Sequence, residues 1–394
     1  MRKITRYVLL ELLSVFLVTL VGITLLIILA GVAGQGVREG LGFGPILKMI
    51  PFVVPLALQI SVPATILMAT SSVFGRMSVD NEIVAIKSLG ISPVAVVTPA
   101  LVLAFLVSLV AVWINDIAVS WGRAGMQRVI AESVEEVAYR LLRTQRAYQT
   151  PSFSINVKDV VGRRLVEPSI QVRSGRGGKA VRIHADEAEL RSDPEKGVLK
   201  VKLANVDIDE GDLMVGLDSH ELAIPLLEAT RKGDNSDSPS YVPLREMSRE
   251  TRGQRQRTED VERIGATVAA FQMMTGDFSR LTDPPGWAGR REAIEGARSR
   301  LHRLHLEPWR RWASGFSCFF FVLVGAPLAI QMKTANFFTT FAACFLPILL
   351  VYYPLLAFGV DRCKDGVMPP YTVWLGNLVL GIAGAWMMRK VIRY

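Results

Sequence analysis

Six long apolar runs, separated by polar stretches, constrain this chain more than any other feature. They lie at about Val8–Ala33, Ile46–Phe74, Pro93–Ile114, Trp312–Ile330, Phe337–Phe358 and Tyr371–Met388. Apolar runs of roughly 18 residues or more cross a bilayer as helices, because a helix satisfies its backbone polar groups internally. The chain is 50% hydrophobic, yet 21% of it is charged. Both figures hold together only because the two kinds of residue are segregated along the chain. The first run is too long for a cleavable signal, and no small-residue cleavage site follows it. The second holds Pro51, Pro55 and Pro63. These kink a helix without ending it when neighbouring helices re-satisfy the freed carbonyls.

Six spans put both termini on one side of the membrane. Arg2, Lys3 and Arg6, the closing Arg389, Lys390 and Arg393, and the loop residues Arg76, Lys87 and Lys333 then share that side. The positive-inside rule makes it the cytoplasm. Residues 115–311 fall outside, and long translocated domains escape the rule. The net charge of +9 fits anionic lipid surfaces. Nucleic acid is not expected as a partner, since no basic strand is interleaved with aromatics.

The outer part divides by period. Arg123–Arg143 places Met126, Val129, Ile130, Val134, Val137, Leu141 and Leu142 at helical spacing, an amphipathic continuation of the third span. From 147 the pattern alternates, as in Phe153–Val160, Val181–Ala185 and Val198–Leu203, with glycine and proline turns between. Such alternation predicts a small antiparallel β domain. Residues 231–300 are polar and Arg-rich. A linker at Gly233–Pro239 precedes a predicted helix near Glu259–Met274, a break at Pro284-Pro285-Gly286, and a second helix near Arg290–Leu306. The expected division is spans one to three (1–122) with a cytoplasmic helix at 78–90, a connecting helix (123–146), an outer β domain (147–230), a polar region (231–307) and spans four to six (308–394).

Catalytic and cofactor motifs are missing. Gly177-Gly178-Lys179-Ala180 lacks the first glycine and the hydroxyl residue of a phosphate loop. His302 and His305 are spaced to share a metal on a helix, but no carboxylate joins them, so a solvated face is the reading. Cys318, Cys344 and Cys363 are far apart and read as packing residues. Asp116, Asp361 and Asp365 sit near span ends, where snorkelling or loop polarity accounts for them. No metal, cofactor or catalytic residue is expected.

Between the second and third runs lies a polar, patterned stretch, Gly75-Arg76-Met77-Ser78-Val79-Asp80-Asn81-Glu82-Ile83-Val84-Ala85-Ile86-Lys87-Ser88-Leu89-Gly90-Ile91-Ser92. Val79, Ile83, Ile86 and Leu89/Gly90 fall near one face of a helix capped by Ser78 or Asp80 and stopped by Gly90. The pattern supports two readings, an amphipathic loop resting on lipid headgroups or a coupling helix offered to a cytoplasmic ATPase. The central Glu82 suits a protein partner better.

The same stretch resembles the loop after the second span in the LptF/LptG permease family. Further segments agree in order: Pro63–Thr70 in the second span, Gly325-Ala326-Pro327-Leu328 in the fourth, Tyr352-Tyr353 in the fifth, and Met368-Pro369-Pro370 with Trp374-Leu375-Gly376-Asn377 opening the sixth. The resemblance covers about 1–230 and 300–394. Three departures stand out: a longer, more Arg-rich 231–300, Gln331–Asn336 in place of a basic glycine-containing turn, and Ser314-Gly315 where a proline is common.

The resemblance implies a six-span α-helical membrane protein with an inserted periplasmic jellyroll-like β domain. It implies a non-catalytic permease subunit of an ABC transporter that draws lipopolysaccharide from the inner membrane. Its implied partners are an LptB-like cytoplasmic ATPase, a second LptF/LptG-type permease and an LptC/LptA-like periplasmic bridge protein. Glu82 matches the family's coupling-helix glutamate, with Ile83, Ile86 and Leu89 as apolar contacts beside Lys87 and Gly90. Lipopolysaccharide carries phosphates on an apolar anchor, so Arg38, Arg310 and Arg311 at the outer rim are candidate contacts; interfacial anchoring is the other reading of these three. Rival functions are an ABC membrane subunit for another lipid or lipoprotein, and a scaffold that only presents the β domain.

Overall fold

In a computed structural model of the chain, residues 2–39, 43–123, 125–126, 128–129, 139, 142–143, 146–149, 153–173, 180–193, 198–209, 214–225, 238–276, 278, 284–332 and 337–393 are described. They fall into two units. Met1–Ile28, Val54–Trp121 and Ser238–Tyr394 form a helical unit; Leu29–Val53 and Gly122–Asp237 form the other.

The helical elements are α1 (Arg2–Glu39), α2 (Phe43–Val79), α3 (Glu82–Ser88), α4 (Pro93–Ile117), α5 (Leu244–Met274), α6 (Pro284–Met332), α7 (Phe337–Pro347), α8 (Tyr353–Lys364) and α9 (Leu375–Arg393). A π-helical stretch at Ile348–Tyr352 joins α7 to α8. Six helical stretches of the described residues are long and apolar enough to cross a membrane: Lys3–Val32, Ile46–Val79, Pro93–Arg123, Trp287–Met332, Phe338–Lys364 and Pro370–Ile392. Every apolar run of the sequence is thus a helix. In α2 the helix continues through Pro51, Pro55 and Pro63, and Thr65 and Thr70 hydroxyls donate to the Val62 and Ile66 carbonyls at 3.0 and 2.7 Å.

Apolar residues outside a lipid-exposed bundle gain nothing by leaving hydrocarbon for one another, so small and polar residues hold the helices together. A side chain at Gly315 in α6 would lie 2.9 Å from the Val112 backbone nitrogen, so only glycine admits the approach of α4. Beside it Asn115 donates to Ser314 Oγ at 3.2 Å, and the Phe319 amide donates to Ser108 Oγ at 3.0 Å. Asn377 of α9 donates to the Ala313 carbonyl at 2.8 Å, and Thr24 and Ser61 share a buried bond of 2.8 Å between α1 and α2. Leu12, Ile66, Phe74, Met77, Val97, Val322 and Ile348 fill the core between these contacts.

Outside the spans, α5 runs alongside the first half of α6. Met247, Gln254 and Thr258 are buried. Gln254 Nε2 donates to the Ala297 carbonyl at 3.2 Å, and ion pairs join Arg298 to Glu262 (2.8 Å) and Arg300 to Glu250 (3.0 Å). The helix expected from Glu259 therefore starts at Leu244, because contacts with α6 stabilise a segment too polar to announce itself. Pro284 and Pro285 open α6 instead of merely breaking the chain, as proline does in a first turn that has no amide bond to lose.

The second unit holds an eight-stranded antiparallel sheet: β1 (Ala147–Gln149), β2 (Phe153–Asn156), β3 (Asp159–Val161), β4 (Arg164–Val166), β5 (Ser169–Arg173), β6 (Ala180–Asp193), β7 (Val198–Asp209) and β8 (Met214–Pro225). The long β6 pairs with β5 and then β4 along one edge and with β7 along the other, and β8 pairs with β7. Inward positions are Ile183 and Ala185, then Ala188 and Leu190, so Asp186 and Glu187 interrupt the alternation. On β7 the same interruption falls at Ala204 and Asn205. Asn205 has φ 50° and donates to Asp186 Oδ2 at 3.0 Å, and Glu167 on the other side has φ 47°. Residues 167, 186 and 205 thus mark the line along which the sheet curls into a half-barrel, with Ile155, Leu165, Ile170, Leu190, Val201 and Leu203 inside. Tyr139 closes this core, donating to the Arg163 carbonyl at 2.7 Å and accepting from the Leu190 amide at 2.9 Å. Most of the connecting helix expected at Arg123–Arg143, and the linker at residues 233–237, lie outside the described residues.

Candidate functional site

The polar stretch between the second and third spans folds as two tight corners around a short helix. The second-span helix α2 does not stop at Phe74 but runs to Val79. Asp80 and Asn81 turn the chain, Asn81 taking the left-handed conformation at φ 58°, which asparagine tolerates better than most residues. Helix α3 then spans Glu82–Ser88 and is shorter than the expected 78–90. The caps expected of Ser78 and Asp80 do not form, since Ser78 lies within α2. Glu82 instead stands in the first turn, where its charge complements the helix dipole. Gly90, at φ 76°, ends the element: its amide donates to the Lys87 carbonyl at 3.0 Å, and that of Ile91 to the Ile86 carbonyl at 3.3 Å. Ser92 then caps α4, accepting from the Val94 amide at 3.3 Å, with Pro93 in the first helical position.

Two anchors hold the short helix against the bundle. Ile83 is 7% exposed and belongs to the core, and Ile86 packs partly against it. Just before the corner, the buried Ser78 hydroxyl donates to the Ile330 carbonyl at 2.6 Å. Ile330 sits in the last turn of α6, where carbonyls lack helical partners, so the bond fixes the end of the fourth span to the start of the loop. Arg76 pairs with Glu11 of α1 and also donates to Tyr7 Oη at 3.4 Å. Spacing gave no hint of the Ser78 bond.

Placement separates the expected contacts into two groups. Ile83 and Ile86 face inward and hold the helix. Val84 and Leu89, 51% and 75% exposed, face outward with Ala85 and Ser88. Glu82 and Lys87 are half-buried between the two faces. The outward surface is therefore a small apolar patch with one acid and one base at its margins, carried by a helix whose other side is fixed to the spans.

The candidate lipid contacts also separate. Arg38 lies in the last turn of α1, and its side chain is outside the described residues. Arg310 is half-exposed and pairs with Glu307 at 2.8 Å. Arg311 is buried: its guanidinium meets Asp116 Oδ1 at 3.1 Å, the Val242 carbonyl at 2.7 Å, the Ser240 carbonyl at 3.1 Å and Glu307 at 3.8 Å. Asp116 also accepts from the Leu244 amide at 2.8 Å, and Glu307 accepts from Ser240 Oγ at 2.7 Å. Arg311 thus closes a polar clasp that binds the entry to α5 onto the third and fourth spans, and its guanidinium is buried there, away from any ligand at the surface. Asp116 is explained by the same clasp. Among the described residues no group of His, Cys, Asp and Glu side chains converges as a metal site, and His302 and His305 are exposed.

A sequence model of the family described as "Lipopolysaccharide export system permease LptF/LptG" matches residues 6–390. No curated protein matches the chain.

Proposed function

The chain belongs to the LptF/LptG permease family, and with its six apolar helices it is a multi-pass inner-membrane protein; from that premise we propose that it is the membrane subunit of an ABC transporter that extracts lipopolysaccharide. Its termini and α3 face the cytoplasm in this reading, and the β domain faces the periplasm. A separate ATPase docks on α3, with Glu82, Lys87 and Leu89 at the contact and Ile83, Ile86 and Gly90 shaping the helix. A second permease of the same family completes a lipid cavity, and a periplasmic β-jellyroll protein receives the lipid.

The observation that carries the reading is α3 itself. A loop that merely reversed the chain would not need a helix with an outward apolar patch, anchored by a core isoleucine and tied by Ser78 to the fourth span. This construction suits a part that must pass movement from a soluble motor into the spans. Basic groups around the first and last helices support a cytoplasmic position for it. The exposed apolar surfaces of the first and fifth spans, whose apolar stretches are each only 17% buried, support a neighbour or lipid on those sides. Arg310 stays a candidate at the outer rim, whereas Arg311 is assigned to structure.

The test is purification with the candidate ATPase in detergent, followed by ATP hydrolysis with and without added lipopolysaccharide. Glu82→Ala should leave the folded permease intact and lower hydrolysis at least tenfold. Unchanged hydrolysis, or no ATPase retained by the unaltered chain, would favour the scaffold reading. Mass spectrometry of bound lipid then separates lipopolysaccharide from another cargo.

A further inference from the structure

Helix α3 is not alone at its end of the bundle. A cleft of about 270 Å³ opens between it, the last turn of α6 and the last turns of α9. Its floor is apolar and buried: Ile83, Pro93, Ile330 and Val391, with Ser78 beside them. Its rim carries two ammonium groups, Lys87 from α3 and Lys390 from α9. Lys390 is exposed and Lys87 half-buried, and the exposed Val84 stands at the same rim. An apolar hole with two cations and the exposed Gln331 amide at its rim matches a side chain with an apolar stem and an anionic head.

We propose that this cleft is a socket for a carboxylate-bearing side chain of the ATPase, so that α9, with Lys390, forms a second part of the docking surface beside α3. The inference rests on the reading of α3 as the ATPase contact and extends it. Both lysines repel a cationic guest and attract an acidic one, and the attraction acts before contact is made. The volume admits one long acidic side chain or an aromatic residue beside an acid, not a helix. Seating a guest here would touch Ile330, whose carbonyl already binds Ser78, and so would press on the fourth span, the loop and the sixth span together.

The experiment measures association of the ATPase with the immobilised full-length permease at two salt concentrations, for the unaltered chain, Lys390→Glu, Lys390→Arg and Glu82→Ala. Lys390→Glu should slow association roughly fivefold at low salt and flatten its salt dependence, and Lys390→Arg should restore both. If Glu82→Ala weakens binding and Lys390→Glu leaves rate and salt dependence unchanged, the socket is wrong and the α3 reading stands. If the unaltered chain binds no ATPase, both fall. If Lys390→Glu alters only the anionic phospholipid retained by the purified chain, the cleft holds a headgroup and the proposal is overturned.

Discussion

Arg311 and Arg310 are neighbours in sequence and opposites in environment. The first is buried among two carboxylates and two carbonyls; the second is half-exposed with one partner. Removing one member of a buried charged cluster leaves the others dehydrated and unpaired, at a cost of about 3–5 kcal/mol; losing Arg310 instead takes one partner from the buried Glu307, which keeps Ser240 and Arg311. Arg311→Ala should therefore lower the thermal midpoint by several degrees and raise hydrogen exchange at residues 240–250, and Arg310→Ala should do both to a smaller extent; equal effects would contradict the clasp. Sequence could not separate the two, because burial is decided by Asp116 and Ser240, both far along the chain. The same limit hid the job of Ser78, whose partner Ile330 is 252 positions away. Gly90 was legible because what it does is local: it ends the helix, whereas Glu82, read as central, stands in the first turn because the helix begins at residue 82 and not 78.

Among the elements, β6 and β7 show why strand lengths were harder to read than strand existence. The alternation of Val181–Ala185 and of Val198–Leu203 is visible in the sequence, but each strand continues past a corner where two successive residues face outward. Read as a single period the pattern ends there, since a shift of one residue swaps the faces. The corner depends on Asn205 at φ 50°. Asn205→Gly should be nearly neutral, while Asn205→Val should cost the β domain about 1–2 kcal/mol, seen as faster hydrogen exchange at Leu190 and Val201. Unaltered exchange in the valine variant would mean the curl does not need that conformation. α5 was half legible for a related reason. Its polar first half has no apolar stripe, and only contact with α6 makes it helical.

For the whole molecule, the six spans were plain in the sequence, since hydrocarbon demands long apolar helices and little else does. Sidedness is the part that calls for experiment. Cys318, Cys344 and Cys363 are buried, so an introduced thiol gives a clean signal. In sealed inverted vesicles Ser88→Cys should react with an impermeant maleimide and Asp207→Cys should react only after the membrane is opened; the reverse pattern would invert the topology and with it the ATPase contact. One consequence concerns α6, a single helix of 49 residues from Pro284 to Met332. At 1.5 Å per residue its part beyond Trp309 reaches about 37 Å past the last span residues. It is braced there by α5 and gripped near its midpoint by the Arg311 clasp, with Ser78 fastened to its C-terminal end. If α6 tilts as one piece by about 10° about the clasp, its Pro284 end moves through roughly 6 Å, so a small displacement at the Ser78 end becomes a longer stroke at the other.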